Sequence, residues 1–179
     1  GFSYFFFHKA VNFGIIYGIS SFGLAENLNI SVKEAKEFID NYFITYPGIK
    51  VFMEKEIAEA YKNGYVKTLF NRKRNIPELA NKNYIIRNSG ERIALNTPIQ
   101  GTSADILKIA MIRIAKALKE KNLKSKMILQ VHDELVFDCK KEELEDVVKI
   151  MTTTMENVCE LKVPLKVEIE YGDNWYQLK

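Results

Sequence analysis

Apolar positions recur at three- and four-residue intervals along most of the chain, and at two-residue intervals in a few short places. The first helical stretch runs from about Lys9 to Tyr17, with Phe13 and Tyr17 on one face. Ser31-Val-Lys-Glu34 reads as a capping box, in which the serine hydroxyl and the glutamate satisfy free amides at a helix start. Ala35, Phe38, Ile39, Tyr42, Phe43 and Tyr46 continue it at helical spacing until Pro47-Gly48. A third helix carries Phe52, Ile57, Ala60 and Tyr61 to a stop near Gly64, and the segment from Tyr65 to Phe70 is short and β-prone.

Further along, a long helix is predicted from about Ile99 to Leu118, on Ile106, Ile109, Ala110, Ile114, Ala117 and Leu118. Arg92, Asn96 and Gln100 precede or open it at steps of four, a polar ladder suited to a duplex groove. A hairpin follows, with arms Lys126 to Gln130 and Leu135 to Cys139 and Val131-His-Asp-Glu134 at its turn. Leu144, Val147, Val148, Met151, Met155 and Val158 mark an amphipathic helix. Pro164 opens a last strand, in which Leu165, Val167 and Ile169 alternate with Lys166, Glu168 and Glu170. The pattern is that of an α+β protein: a helical lobe, then a lobe with at least three strands of small antiparallel sheet backed by two helices.

Composition adds little. A net charge of +3 is compatible with a polyanion partner without indicating one. Cys139 and Cys159 lie far apart with no metal spacing, the usage of a reduced intracellular protein. No stretch is long and apolar enough to span a membrane. The aromatic start, Gly1 to His8, lacks the basic flank and cleavage site of a signal peptide.

Two clusters carry chemistry. Lys9, Phe13 and Tyr17 stand four apart, so they stack along one helix face over about 12 Å. That is the order and reach needed to meet a nucleoside triphosphate with a cation, a flat ring and a phenol. The same stripe also suits an ordinary core-facing helix with a solvated lysine edge. Gly14 and Gly18 beside it point to close packing against the backbone. The basic run Asn71-Arg-Lys-Arg-Asn75, followed by Arg87 and Arg92, reads either as a solvated loop or as a contact surface. At the hairpin turn, Asp133 and Glu134 are adjacent anions beside His132, an arrangement that repels itself unless something positive sits near. Hard divalent cations such as Mg²⁺ take one or two carboxylates, waters and substrate phosphates, as phosphoryl-transfer sites require.

Lys9-x3-Phe13-x3-Tyr17-Gly18, Asn96-Thr-Pro-Ile-Gln100-Gly-Thr and Gln130-Val-His-Asp-Glu134, in that order, resemble the family A DNA polymerases, the bacterial members in particular. The resemblance covers nearly everything from Lys9 onward. It implies a fingers-like helical lobe over 9–90, the C-terminal part of a palm over 91–179, and an unmatched segment over 1–8. It implies that Lys9, Phe13 and Tyr17 bind the incoming dNTP, and that Arg92, Asn96, Gln100 and His132 contact primer–template DNA. Asp133 becomes a catalytic metal ligand with Glu134 in support, in a site that holds two Mg²⁺ ions in the complete enzyme. Replication and repair synthesis in the bacterial cytoplasm, at the nucleoid, follows from the same likeness.

Departures limit it. Phe5 stands where the family has an arginine four residues before the lysine, and no Asp-Tyr-Ser-x-Ile-Glu-like segment brings a second metal-binding aspartate. The expectation is therefore a C-terminal polymerase fragment that is inactive alone and prone to self-association through an exposed palm edge. The alternatives are a non-catalytic nucleic-acid-binding module and, further off, a single-subunit RNA polymerase, where a serine is usual at the position of Glu134.

Overall fold

Serine and asparagine side chains start three of the helices in the computed structural model, which describes residues 11–177. After the helical residues 11–16 (α1), Ser20 caps α2 (Ser21–Leu28), its hydroxyl accepting from the Gly23 amide at 3.1 Å. Helix α2 has no counterpart in the sequence reading. Ser31 and Glu34 form the expected capping box of α3 (Val32–Thr45), and α4 (Pro47–Asn63) ends at Gly64. A small hairpin, β1 (Tyr65–Lys67) and β2 (Lys73–Asn75), pairs Val66 with Arg74, so part of the basic run is a strand. Leu24, Ala25 and Ala35 form one apolar cluster; Ala60, Val66, Ile76, Leu79 and Ala94 form another.

Helix α5 corrects the sequence reading. It spans Tyr84–Glu120, so Arg92, Asn96 and Gln100 lie inside it, with Pro98 in its interior. Asn83 supplies the start signal, its side chain accepting from the Ile85 amide at 2.8 Å. Asn96-Thr97-Pro98 looks like a cap followed by proline at the first turn. Instead the Thr97 hydroxyl donates back to the Ile93 carbonyl at 2.7 Å, and Thr102 donates to the Pro98 carbonyl. The helix passes through a residue that has no amide to give.

The chain divides into two compact units between Thr102 and Ser103, so the boundary expected at 90/91 falls within α5. The second unit holds residues 103–120 of α5, the hairpin β3 (Lys126–Val131) and β4 (Glu134–Asp138), and α6 (Leu144–Glu156). Its core is Ala110, Ile114, Leu118, Val147, Ile150 and Val158, with Leu135 and Phe137 of β4 packed on it. The register pairs Val131 with Glu134 and is irregular between Met127 and Leu129. The last predicted strand is not formed. Residues 160–172 carry no ladder, although Leu165, Val167 and Ile169 remain less exposed than the charged residues between them. Periodicity brings out an extended chain; a strand also needs a partner for its amides. Among the described residues β3 and β4 pair only with each other, and no helix is long and apolar enough to cross a membrane.

Glu143 fastens the base of this hairpin. Its carboxylate accepts from the Lys124 amide at 3.0 Å, the Ser125 amide at 2.8 Å and the Ser125 hydroxyl at 2.7 Å. Ser125, buried, in turn accepts from the Lys140 amide at 3.1 Å. The Ser125 hydroxyl first, and the Lys124 amide behind it, hold the Glu143 carboxyl below its ordinary value of 4.5. A depressed folded-state value means stability that is present above the unfolded value and lost as pH falls through the folded one. Melting temperatures should therefore favour wild type over Glu143→Gln near neutral pH, and the gap should close as pH drops below 4.5. A gap that stays constant into acid would show that the charge on Glu143 is not what holds the clasp.

Candidate nucleic-acid interface

In the first unit, three of the sequence-selected residues, Phe13, Tyr17 and Arg92, lie near Gly18. Phe13 and Tyr17 stack with ring centroids 6.1 Å apart and planes inclined by 28°. Phe13 is half exposed at 51 %, so its ring is not spent on a core. Gly18 has φ +74°, and a Cβ there would lie 3.3 Å from Leu95 Cδ1 and 3.6 Å from Arg92 Cγ. Glycine thus serves twice, in a left-handed turn and in letting the end of α1 approach α5 beside Arg92. Lys9 lies outside the described residues.

Along α5, Arg92, Asn96 and Gln100 follow one another at single helical turns. Their surroundings differ from those of the other arginines. Arg72 donates to the Gly101 carbonyl at 3.0 Å, Arg74 to Thr97 Oγ1 at 3.3 Å, and Arg87 to the Asn81 and Lys82 carbonyls. Arg113 is bound to the Asn157 and Val158 carbonyls. Arg92 is exposed and makes no hydrogen bond or ion pair among the described residues. Asn96 Oδ1 is buried without a hydrogen-bond partner, an acceptor left unmet within the described chain. Gln100 is exposed. The exposed Arg92 guanidinium, unpartnered among the described residues, and the exposed Gln100 amide can take phosphate oxygens and base edges of a duplex.

The second unit carries the hairpin turn. His132 and Asp133 are its two central residues, closed by the Val131–Glu134 pair. His132 sits at φ +52°, a left-handed conformation that costs free energy for a side-chain-bearing residue. The Gln130 side chain donates to the His132 carbonyl at 3.1 Å and steadies the bend. His132, Asp133 and Glu134 are all exposed, and neither carboxylate has a hydrogen-bond or ion-pair partner among the described residues. No three His, Cys, Asp or Glu side chains among those residues group closely enough to hold a metal ion. Sequence neighbours at a strand end alternate in direction, so adjacency does not make them converge. The donors fit Mg²⁺ as one arm of a site, because that ion takes one or two carboxylates and fills the rest with water and phosphate.

Sequence reasoning found each of these residues except the partners that hold them. Arg72 and Arg74 stood out only as part of a basic run, and Thr97 and Thr102 only within the Asn96–Thr102 motif; their bonds to one another gave no signal, because they join residues tens of positions apart in sequence.

The model of DNA polymerase family A matches residues 7–177. DNA polymerase I of Bacillus caldotenax is 52% identical over 171 residues, which are 96% of this chain and 20% of that protein. DNA polymerase I of Bacillus subtilis (strain 168) is 53% identical over 171 residues, 96% of this chain and 19% of that one. The chain thus spans about a fifth of the length of the curated relatives it matches. Among solved structures, the POL domain of Pol1 from M. smegmatis, in complex with DNA primer-template and dNTP, superposes with a TM-score of 0.90. Its identity is 41%, over 93% of this chain and 30% of that one.

Proposed function

The chain belongs to DNA polymerase family A, and from that premise we propose that it serves template-directed DNA synthesis, the transfer of a nucleotidyl group from a dNTP to a primer 3′ end. The observation that carries the reading is the ladder of α5: Arg92, exposed and unpartnered among the described residues, then Asn96, then exposed Gln100, at single helical turns. Arg92 takes a phosphate, while Asn96 and Gln100 reach the primer–template groove. The stacked Phe13 and Tyr17 rings meet the sugar of the incoming nucleotide and the nascent base pair, with Lys9 at its triphosphate. His132 faces the primer end. Asp133 holds a divalent cation with Glu134 in support. Such a cation, if Mg²⁺, would supply positive charge to offset the negative charge that develops in phosphoryl transfer.

The sequence supplies the Asp133 carboxylate and no second aspartate motif, so the 179 residues by themselves bind duplex without incorporating nucleotides. The test is fluorescence anisotropy on a recessed primer–template across a range of salt, beside primer extension with Mg²⁺ and all dNTPs. Binding should weaken steeply with salt, and Arg92→Ala should reduce the slope of log K against log salt by about 0.9, one phosphate contact. An unchanged slope removes Arg92 from the interface. Extension by the isolated chain would mean that a second metal ligand exists within it.

A further inference from the structure

The arginines of the run Asn71-Arg-Lys-Arg-Asn75 are the residues that a charge-based reading would aim at nucleic acid. In the structure both residues remain exposed, yet each guanidinium bonds to α5. Arg72 Nη2 donates to the Gly101 carbonyl at 3.0 Å, and Arg74 Nη1 donates to Thr97 Oγ1 at 3.3 Å. Between them the Leu69 amide donates to Thr102 Oγ1 at 2.9 Å. Each threonine hydroxyl thereby both accepts from the β1–β2 hairpin and donates to a carbonyl one turn back in α5. Gly101 makes the approach close: a Cβ there would lie 2.7 Å from Thr68 Cγ2 and 3.5 Å from Arg72 Nη2. Thr97 is buried and its bond to Arg74 is partly shielded, whereas the Arg72–Gly101 and Leu69–Thr102 bonds lie at the surface.

The grip falls on one place. Thr97, Gly101 and Thr102 bracket Pro98, where the Ala94 carbonyl receives no amide from the fourth residue on. They also bracket Gln100. A helix with a missing bond can bend or rotate at that turn, and the hairpin fastens both sides of it.

We propose that Arg72 is a positioning residue: through the Gly101 carbonyl, with Leu69 and Thr102 beside it, it fixes the turn of α5 that presents Gln100 to primer–template DNA. The proposal rests on the reading that Gln100 meets the duplex. Arg72 acts on binding without touching the nucleic acid.

A double-mutant cycle tests this on the 179-residue chain, using anisotropy with the recessed primer–template across a salt series. Arg72→Met keeps the aliphatic stem and loses the donor. Thr102→Val loses its hydroxyl at nearly constant volume and constant charge. Each should weaken binding about fivefold, the scale of one lost hydrogen bond, with the salt slope unchanged. Neither should weaken it further in a Gln100→Ala background, because a residue acting through Gln100 has nothing left to act on. A general loss of structure would instead add in full to Gln100→Ala, and that result overturns the proposal. So does a slope lowered by about 0.9 in Arg72→Met, the mark of a direct phosphate contact. If Gln100→Ala alone leaves binding unchanged, the reading of Gln100 fails and the positioning role falls with it. Should Arg72→Met fail to fold, Thr102→Val decides between the same outcomes by itself.

Discussion

Asp133→Ala should lower nucleotide incorporation by about three orders of magnitude when this chain stands in place of the matching 171 residues of the Bacillus caldotenax polymerase. Stabilisation of developing charge by a metal is worth several kcal/mol, and each ~1.36 kcal/mol is a factor of ten in rate. Asp133 offers an exposed carboxylate without partner among the described residues, on a turn whose geometry is stiffened by Gln130. Nothing in the fold relies on that side chain, so its removal should change stability by no more than about 0.5 kcal/mol. Chemistry and folding are thereby separated: a single-turnover rate that collapses at unchanged melting temperature is the signature. Glu134→Ala, removing a supporting group, should lose about ten- to a hundredfold. Should Asp133→Ala stay within tenfold of the parent chimera, Asp133 is not a metal ligand of the rate-determining step.

The second large effect is on the core beneath the same turn. Ile114 is fully buried among Ala110, Leu118, Val147, Ile150 and Val158, and Leu135 and Phe137 of β4 pack on that cluster. Ile114→Ala should cost about 2–5 kcal/mol, the lost transfer energy plus the cavity left behind. Against a total of roughly 5–15 kcal/mol for a domain, that is enough to populate the unfolded second unit. Ile112, two residues away on α5, is 70% exposed. Ile112→Ala removes equal volume from the solvent face and should change stability by about 0.5 kcal/mol or less. Urea unfolding of the two variants decides the matter. Equal midpoints would mean that this cluster does not hold the unit together.

The elements legible in the sequence are those specified by neighbours. Ser31 and Glu34 lie three apart, and their mutual hydrogen bonds are made within one turn. The β3–β4 hairpin needs only its own turn and two short arms, and it forms at the expected place with His132 and Asp133 at its turn. The start of helix α5 is not legible in this way, because Pro98 carries a strong local signal for a helix beginning. The compensation, from Thr97 and Thr102 and the β1–β2 hairpin, comes partly from residues about thirty positions away. The segment 165–170 shows the converse: its alternation is correct for a strand, and among the described residues no ladder partner meets it.

Side-chain chemistry divides in the same way. The sequence by itself determined the family, the α+β class, and the order of the residues proposed to meet nucleotide, duplex and cation, because residue types at fixed spacings on a helix or a turn are local properties. Which of those groups are available was decided only by tertiary structure. Arg72, Arg74 and Arg87 are as basic as Arg92, yet their guanidiniums are bonded to the chain's own carbonyl and hydroxyl oxygens. Arg92 is left unpartnered among the described residues. A charge reaches a ligand only when no partner within the fold takes it first, and that depends on which distant residues the chain brings alongside.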